Sequence, residues 1–242
     1  MRVDFCLPVW NEEKILEANL IRFQEFLNSK DWPFTWQIIV IINGSSDSSL
    51  AITDRLSSRD SRIKYLDLKS DGKGLAVRAG FRSSSADWLV FMDIDLAVSL
   101  NNIPDLLQPL LAGQQDLVFG SRLLAGSNIN RSFFRGFTSQ VYNFLSRFLL
   151  DHSFADLQCG FKALRREVFQ RLEPDLRDNQ WFFDTELIIL AKRRGYRLLE
   201  IPVDWQENRY AQRTSKIRPL QDAYLFLRKL IEFSRRLRKI NF

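Results

Sequence analysis

The chain alternates short, uniformly apolar or β-branched runs with longer stretches in which apolar residues recur at three- and four-residue spacing. Val3–Leu7 reads as a strand, Glu12–Leu27 as a helix and Ile38–Ile42 as a second strand. The same rhythm predicts a helix over Leu50–Leu56, a strand over Ile63–Leu68 and a helix over Lys73–Phe81. It continues with a strand over Trp88–Met92, a helix over Ile103–Leu111 and a strand over Leu117–Phe119. Runs such as Ile38-Ile39-Val40-Ile41-Ile42 have no polar face, which suits strands covered on both sides, as in a parallel sheet. An α/β fold with a mostly parallel central sheet flanked by helices follows. Beyond residue 122 the rhythm loosens into a helix over Phe137–Leu149, a polar turn near Asp156, a strand over Phe161–Leu164 and a helix over Asp184–Arg194. Residues 1–217 are expected to form one domain in two halves, 1–122 and 123–217, followed by an amphipathic basic helix over 218–242.

A length of 242 residues, 45% of them apolar, is enough for one sizeable core, and no 20- to 50-residue repeat is visible. Thirty-five Lys and Arg against 29 Asp and Glu leave a charge of +6, which favours anionic partners: phosphates, nucleic acid or an acidic membrane surface. No helix-turn-helix, zinc or aromatic RNA-binding signature is present, so a nucleic-acid partner is not expected. Cys6 and Cys159 make neither a metal spacing nor a disulfide framework, in keeping with a reducing compartment. The N-terminus lacks a signal peptide's apolar stretch, and no apolar run approaches the ~20 residues of a membrane span. A cytoplasmic protein is expected, with any membrane contact peripheral and on the cytoplasmic face.

Candidate chemistry gathers where strands end, which is where open α/β sheets bind ligands. The first strand runs into Pro8-Val9-Trp10-Asn11-Glu12 and the second into Asn43-Gly44-Ser45-Ser46-Asp47. Each loop alone also fits a plain turn and helix cap, but two at neighbouring strand ends point to nucleotide binding. Asp71-Gly72-Lys73-Gly74 precedes a helix, so its N–H groups and Lys73 are candidates for a diphosphate, though without the Walker pattern. Asp93-Ile94-Asp95 follows Trp88–Met92; in an extended segment both carboxylates face one side and suit a divalent cation, the alternative being that one of them caps the next turn.

In this order the segments resemble the family-two glycosyltransferases, which have a GT-A fold, and within them the polyprenyl-phosphate sugar transferases. The likeness rests also on Gly120-Ser121-Arg122, Asp156-Leu157-Gln158-Cys159-Gly160-Phe161-Lys162 and Trp181-Phe182-Phe183-Asp184-Thr185-Glu186. The resemblance implies an inverting, metal-dependent hexosyltransferase that moves glucose from UDP-glucose to a polyprenyl or dolichyl phosphate. Pro8, Trp10, Asn11, Glu12, Asn43, Ser45, Asp47, Lys73 and Asp93 would bind the nucleotide sugar, and Asp93 and Asp95 would hold Mg²⁺ or Mn²⁺. Arg122, Gln158, Gly160, Lys162 and Glu186 would face the acceptor, and Asp93, Asp95, Asp184 and Arg122 would carry the catalysis. Two positions depart from the pattern: Ile42 and Asn43 stand where many relatives carry acids, and Ala97 stands where some carry a Gln ligand.

A phosphate monoester is mostly ionised at neutral pH and needs alignment rather than a strong base. A hydroxyl acceptor would need a base, for which Asp184 and then Glu186 are the candidates. Sugar transfer to a hydroxyl, nucleotidyl transfer to a sugar phosphate and a non-catalytic nucleotide-sugar-binding protein are the competing readings. His152, the only histidine, is given no role. Leu220, Ala223, Tyr224, Leu227, Leu230 and Ile231, followed by Arg235, Arg236, Arg238 and Lys239, fit either a packed helix with a solvated basic end or a segment lying on anionic lipid. Tyr142, Phe144, Leu145, Phe148 and Leu149 form a second candidate lipid-facing patch.

Overall fold

The structure, a computed structural model, describes residues 1–130, 143–206 and 219–240. Seven strands form one sheet in the order β3-β2-β1-β4-β7-β5-β8. They are β1 (Arg2–Val9), β2 (Thr35–Asn43), β3 (Ile63–Leu68), β4 (Trp88–Met92), β5 (Leu117–Ser121), β7 (Phe161–Arg165) and β8 (Leu198–Pro202). All neighbours are parallel except β7, which runs antiparallel to both β4 and β5. A small parallel pair, β6 (Asn128–Asn130) and β9 (Asp204–Gln206), stands beside it.

The uniformly apolar strands are buried on both faces, and their alternate residues enter two different cores. Val3, Phe5, Leu7, Ile38, Val40 and Val90 join the cluster under α1 (Leu16–Asn28) and α4 (Ile103–Leu111). Cys6, Ile39, Ile41, Leu89 and Phe91 join the opposite one, with α3 (Lys73–Ser83) and α7 (Phe183–Arg193). That second core is closed by α8 (Pro219–Leu237), whose Leu230, Phe233 and Leu237 are buried, with Phe233 edge-on to Phe182 at 5.7 Å. The inner face of α8 is thus packed.

The remaining helices are α2 (Ser49–Arg59), α5, described over 143–150, and α6 (Arg166–Leu172). Of the helix expected at Phe137–Leu149, residues 137–142 lie outside the described residues, and so does Tyr142 of the lipid-facing patch; the side chains of Leu220, Ala223 and Tyr224 lie outside them as well. The first helix starts at Leu16 rather than Glu12, because Glu12 turns the chain and its carbonyl accepts the N–H groups of Ile15 and Leu16. The pattern did not predict β6, α6, β8 or β9. Of β8 only Ile201 is buried, so an edge strand carries little of the apolar signal that marks the central ones.

Candidate functional site

The carboxyl ends of β1, β2 and β4 open on one edge of the sheet, and the loops leaving β1 and β2 are tied to each other there. Asn11, whose φ of 52° is left-handed, accepts the Ser46 N–H at 2.8 Å, and its own N–H donates to Ser45 Oγ at 3.0 Å. Asp47 accepts N–H groups from Glu13 and Ser49 at 3.0 Å each. Partial burial works to raise the Asp47 pKa, but those bonds outweigh it and the group stays below its ordinary value. Ser45 and Asp47 therefore hold the two loops together. Glu12 is buried, and Trp10 is left 41% exposed at the rim. Asn43 is buried at the end of β2, and its Oδ1 has no hydrogen-bond partner among the described residues.

The turn before α3 is built differently from the sequence expectation. The N–H groups of Gly74 and Leu75 donate to the carbonyls of Gln180 and Asn179, so these first-turn donors are capped by the 179–180 loop and are not open to a diphosphate. What the turn does present is Lys73. Its ammonium lies 3.0 Å from Asp93 Oδ1 and 3.8 Å from Asp184 Oδ2, with the Trp181 ring centroid 5.0 Å away. Burial works against its charge, yet Asp93 and Asp184 hold its pKa above the usual lysine value.

Asp93-Ile94-Asp95 is a turn, not an extended segment: β4 ends at Met92, the Leu96 N–H donates to the Asp93 carbonyl at 3.2 Å, and Leu96 has a left-handed φ of 50°. The extended geometry expected for this pair is corrected accordingly. Asp95 Oδ1 accepts the Ala97 N–H at 3.1 Å, as a turn cap does, while Asp93 points at Lys73 with 39% of its side chain exposed. Gly160 makes the Asp93 position possible, since a Cβ there would stand 2.1 Å from Asp93 Oδ2. Among the described residues no group of three or more His, Cys, Asp or Glu side chains is gathered for a metal. Two partly exposed carboxylates suit a hard divalent ion that completes its shell with water and ligand oxygens, so the donor set fits Mg²⁺ or Mn²⁺.

Beneath Asp93 lies a buried charge network. Lys162, fully buried, donates to Asp184 Oδ1 at 2.6 Å and to the Cys159 carbonyl at 2.5 Å. Lys162 and Asp184 therefore face each other rather than an open acceptor pocket, and both sequence assignments change: neither side chain is placed to touch a substrate. Glu186 does not join them. Residues two apart on a helix point roughly 200° apart, and Glu186 accepts the N–H groups of Arg177 and Asp178 at 2.8 Å and pairs with Arg236 of α8. Its expected acceptor role is corrected to a structural one.

Arg122, on the chain leaving β5, pairs with buried Asp156 through Nε at 2.6 Å and Nη2 at 3.0 Å. Burial opposes the Arg122 charge, but Asp156 overrides it and keeps the guanidinium firmly protonated. Cys159, between the two networks, is pushed up to about 12 by burial and is not a nucleophile. Gln158 donates to Thr185 Oγ1 at 2.6 Å. Asp156 and Trp181 were not assigned roles from sequence; Asp156 stands 34 residues from its partner, and no local spacing marks such a pair.

Comparison with known proteins places the chain in a family and a fold. The profile of glycosyl transferase family 2 matches residues 4–173. Glycosyltransferase AglD of Haloferax volcanii is 36% identical over 85% of this chain and 33% of its own. Dolichyl-phosphate beta-glucosyltransferase ALG5C of Trichomonas vaginalis is 31% identical over 84% of this chain and 63% of its own. The mouse dolichyl-phosphate beta-glucosyltransferase is 32% identical over 85% and 68%. The chain thus spans a third of AglD and just under two thirds of ALG5C. Glucosyl-3-phosphoglycerate synthase of Mycobacterium tuberculosis, solved with Mn²⁺, UDP and phosphoglyceric acid, superposes with a TM-score of 0.69 at 20% identity, covering 95% of this chain and 75% of that one. The sheet and its flanking helices are the GT-A fold expected from sequence. With a family match over most of its length, and a seven-stranded sheet whose carboxyl edge carries the Asp93–Lys73 contact, the chain belongs to glycosyl transferase family 2.

Proposed function

We propose that this chain is an inverting hexosyltransferase that moves glucose from UDP-glucose to a polyprenyl phosphate. The observation that carries the proposal is the half-exposed Asp93 carboxylate set against Lys73 at the carboxyl edge of the sheet, where a donor diphosphate has both a cation and a metal-binding acid within reach. The relatives named dolichyl-phosphate beta-glucosyltransferase support glucose and a lipid phosphate as the substrates. The orphaned Asn43 Oδ1, at the end of β2, supports a base that offers it an N–H, and the donor named by the assay below decides which base that is.

Asp93 and Asp95 would hold Mg²⁺ or Mn²⁺, and the chemistry such an ion would supply there is Lewis-acid stabilisation of the charge on the departing diphosphate. Lys73 adds a second positive charge on the same side. Arg122 meets the acceptor phosphate: Asp156 occupies its Nε and Nη2, fixing the guanidinium plane and leaving Nη1 without a carboxylate among the described residues. The acceptor, already ionised, attacks the anomeric carbon from the face opposite the diphosphate, and no side chain is required to take a proton. Asp184 and Lys162 position this machinery from below, through Lys73 and the Cys159 carbonyl.

A lipid-tailed acceptor also needs a surface. Phe144 and Phe148 on α5 are 71% and 81% exposed, and Leu227 and Ile231 on α8 are open beside Arg228, a combination that supports peripheral binding to an acidic bilayer. Among the described residues no helix is long and apolar enough to cross a membrane.

The test is a transfer assay with UDP-glucose, UDP-N-acetylglucosamine and GDP-mannose, each with and without a polyprenyl phosphate, in the presence of Mn²⁺. Lipid-linked glucose formed only from UDP-glucose and only with the lipid phosphate is expected. Nucleoside diphosphate release that ignores the lipid overturns the acceptor assignment.

A further inference from the structure

A cavity of about 460 Å³ opens between the start of α7 and α8, on the side of α7 away from Asp184. Its floor is fixed by hydrogen bonds. Glu186 takes the N–H groups of Arg177 and Asp178, and Asp178 Oδ1 takes those of Gln180 and Phe182 at 2.8 and 3.1 Å. Two of its cations are already neutralised, Lys229 by Asp178 at 2.7 Å and Arg236 by Glu186.

The rest of the lining is unbalanced. Arg177, Arg235 and Lys239 form no ion pair among the described residues. The remaining carboxylate, Glu232, is engaged by Arg228 at 2.7 Å, which with smaller help from Lys229 and Arg235 holds it in its charged form. The buried Nε–H of Arg236 has no acceptor among the described residues, although Nη2 of the same guanidinium is paired. Phe233 lies under that guanidinium at 4.8 Å, and Phe182 beside it gives the cavity an apolar wall.

We propose that this cavity is a second anion site, separate from the donor cleft, that binds a phosphate monoester bearing a small organic substituent. The cations of Arg177, Arg235 and Lys239 meet the phosphate oxygens, and the two phenylalanines meet the carbon substituent. That chemistry is offered by the headgroup of phosphatidic acid and by a free sugar or glycerol phosphate alike.

The experiment compares three proteins: the native chain, a triple variant Arg177→Ser, Arg235→Ser, Lys239→Ser, and a control Lys14→Ser, Lys30→Ser, Lys64→Ser that removes the same charge from exposed positions elsewhere. Binding of glycerol 1-phosphate is measured by calorimetry in EDTA, which silences metal-dependent binding at Asp93. Native and control proteins are expected to bind alike and the cavity variant about tenfold or more weakly, the loss expected for charge-assisted contacts. Equal affinity in all three, or an equal loss in the control, overturns the proposal. Co-sedimentation with phosphatidylcholine vesicles, with and without phosphatidic acid, then identifies the source. A parallel loss on the acidic vesicles assigns the site to a lipid headgroup, and a loss confined to glycerol 1-phosphate assigns it to a free phosphate ester.

Discussion

Replacing Gly160 by alanine probes the site at its tightest point. Gly160 is not among the residues with positive φ, so alanine adds a methyl group without backbone strain. The new Cβ would stand 2.1 Å from Asp93 Oδ2 and 2.6 Å from Cγ, whereas ordinary contact begins at 3.4 Å, so the carboxylate must retreat by about 1.3 Å. Asp93 is partly exposed and has room to swing outward, which places the stability cost at the low end of the ~1–3 kcal/mol typical of overpacking. A loss of about 1 kcal/mol lowers the melting temperature of a domain this size by roughly 2–4 °C. Function should suffer far more, because the 3.0 Å contact with Lys73 opens and a displacement near 1 Å at a reacting centre costs about 100-fold in rate. Differential scanning fluorimetry, Mn²⁺-dependent UDP binding and turnover together decide the matter. A variant that melts within a few degrees of the native chain yet loses about two orders of magnitude in turnover is expected; one that keeps native turnover and Mn²⁺-dependent binding would refute the placement of Asp93 at the reacting centre.

Asp95→Asn keeps the shape of the side chain and its acceptor oxygen for the Ala97 N–H but removes a charge, so UDP binding should lose its dependence on Mn²⁺; calorimetry showing native metal dependence would remove Asp95 from the metal site. Lys162→Met leaves buried Asp184 with only the longer 3.8 Å contact to Lys73, and chemical denaturation should record a loss at the low end of about 3–5 kcal/mol, partly recovered when Asp184→Leu is added. A loss below about 1 kcal/mol would show that the pair does not hold this part of the core. Burial, with smaller contributions from Lys192 and Arg147, lowers the His152 pKa to about 4, so the folded ring resists a proton that the unfolded ring accepts near 6.5. Stability should be full above pH 6.5 and decline as the pH falls towards 4, by no more than roughly 3 kcal/mol, and His152→Gln should flatten that slope in a melting series. An unchanged slope would move the acid sensitivity elsewhere.

Trp88–Met92 was legible because it is apolar and buried on both faces, Ile63–Leu68 because apolar and polar residues alternate in a run led by a β-branched residue, and both begin and end where the pattern places them, as does the helix Ile103–Leu111. The edge strand β8 was not, because its place is set by pairing with β5 rather than by its own pattern. At the site, residue type was readable and partnership was not. Asp93, Lys73, Asp184 and Lys162 stand out as charges in apolar surroundings, but nothing local says that Lys162 turns inward to Asp184, 22 residues away. Spacing misled where it was taken across a change of structure: Asp93 and Asp95 were treated as strand neighbours although the chain turns between them; Asp184 and Glu186, which the resemblance brought to the acceptor side together, are sent to opposite sides by helix geometry.

The reversed strand β7 has a consequence for how the chain is made. β5 belongs to the first half of the sequence, yet both of its neighbours, β7 and β8, come from the second. As the protein leaves the ribosome, five residues that end fully buried must wait for Phe161, 40 residues after Ser121. At ~5–20 residues per second that interval is roughly 2–8 s. Throughout it β4 has an open edge as well, so the nascent first half carries two unpaired apolar strand edges until the reversed strand arrives to cover both.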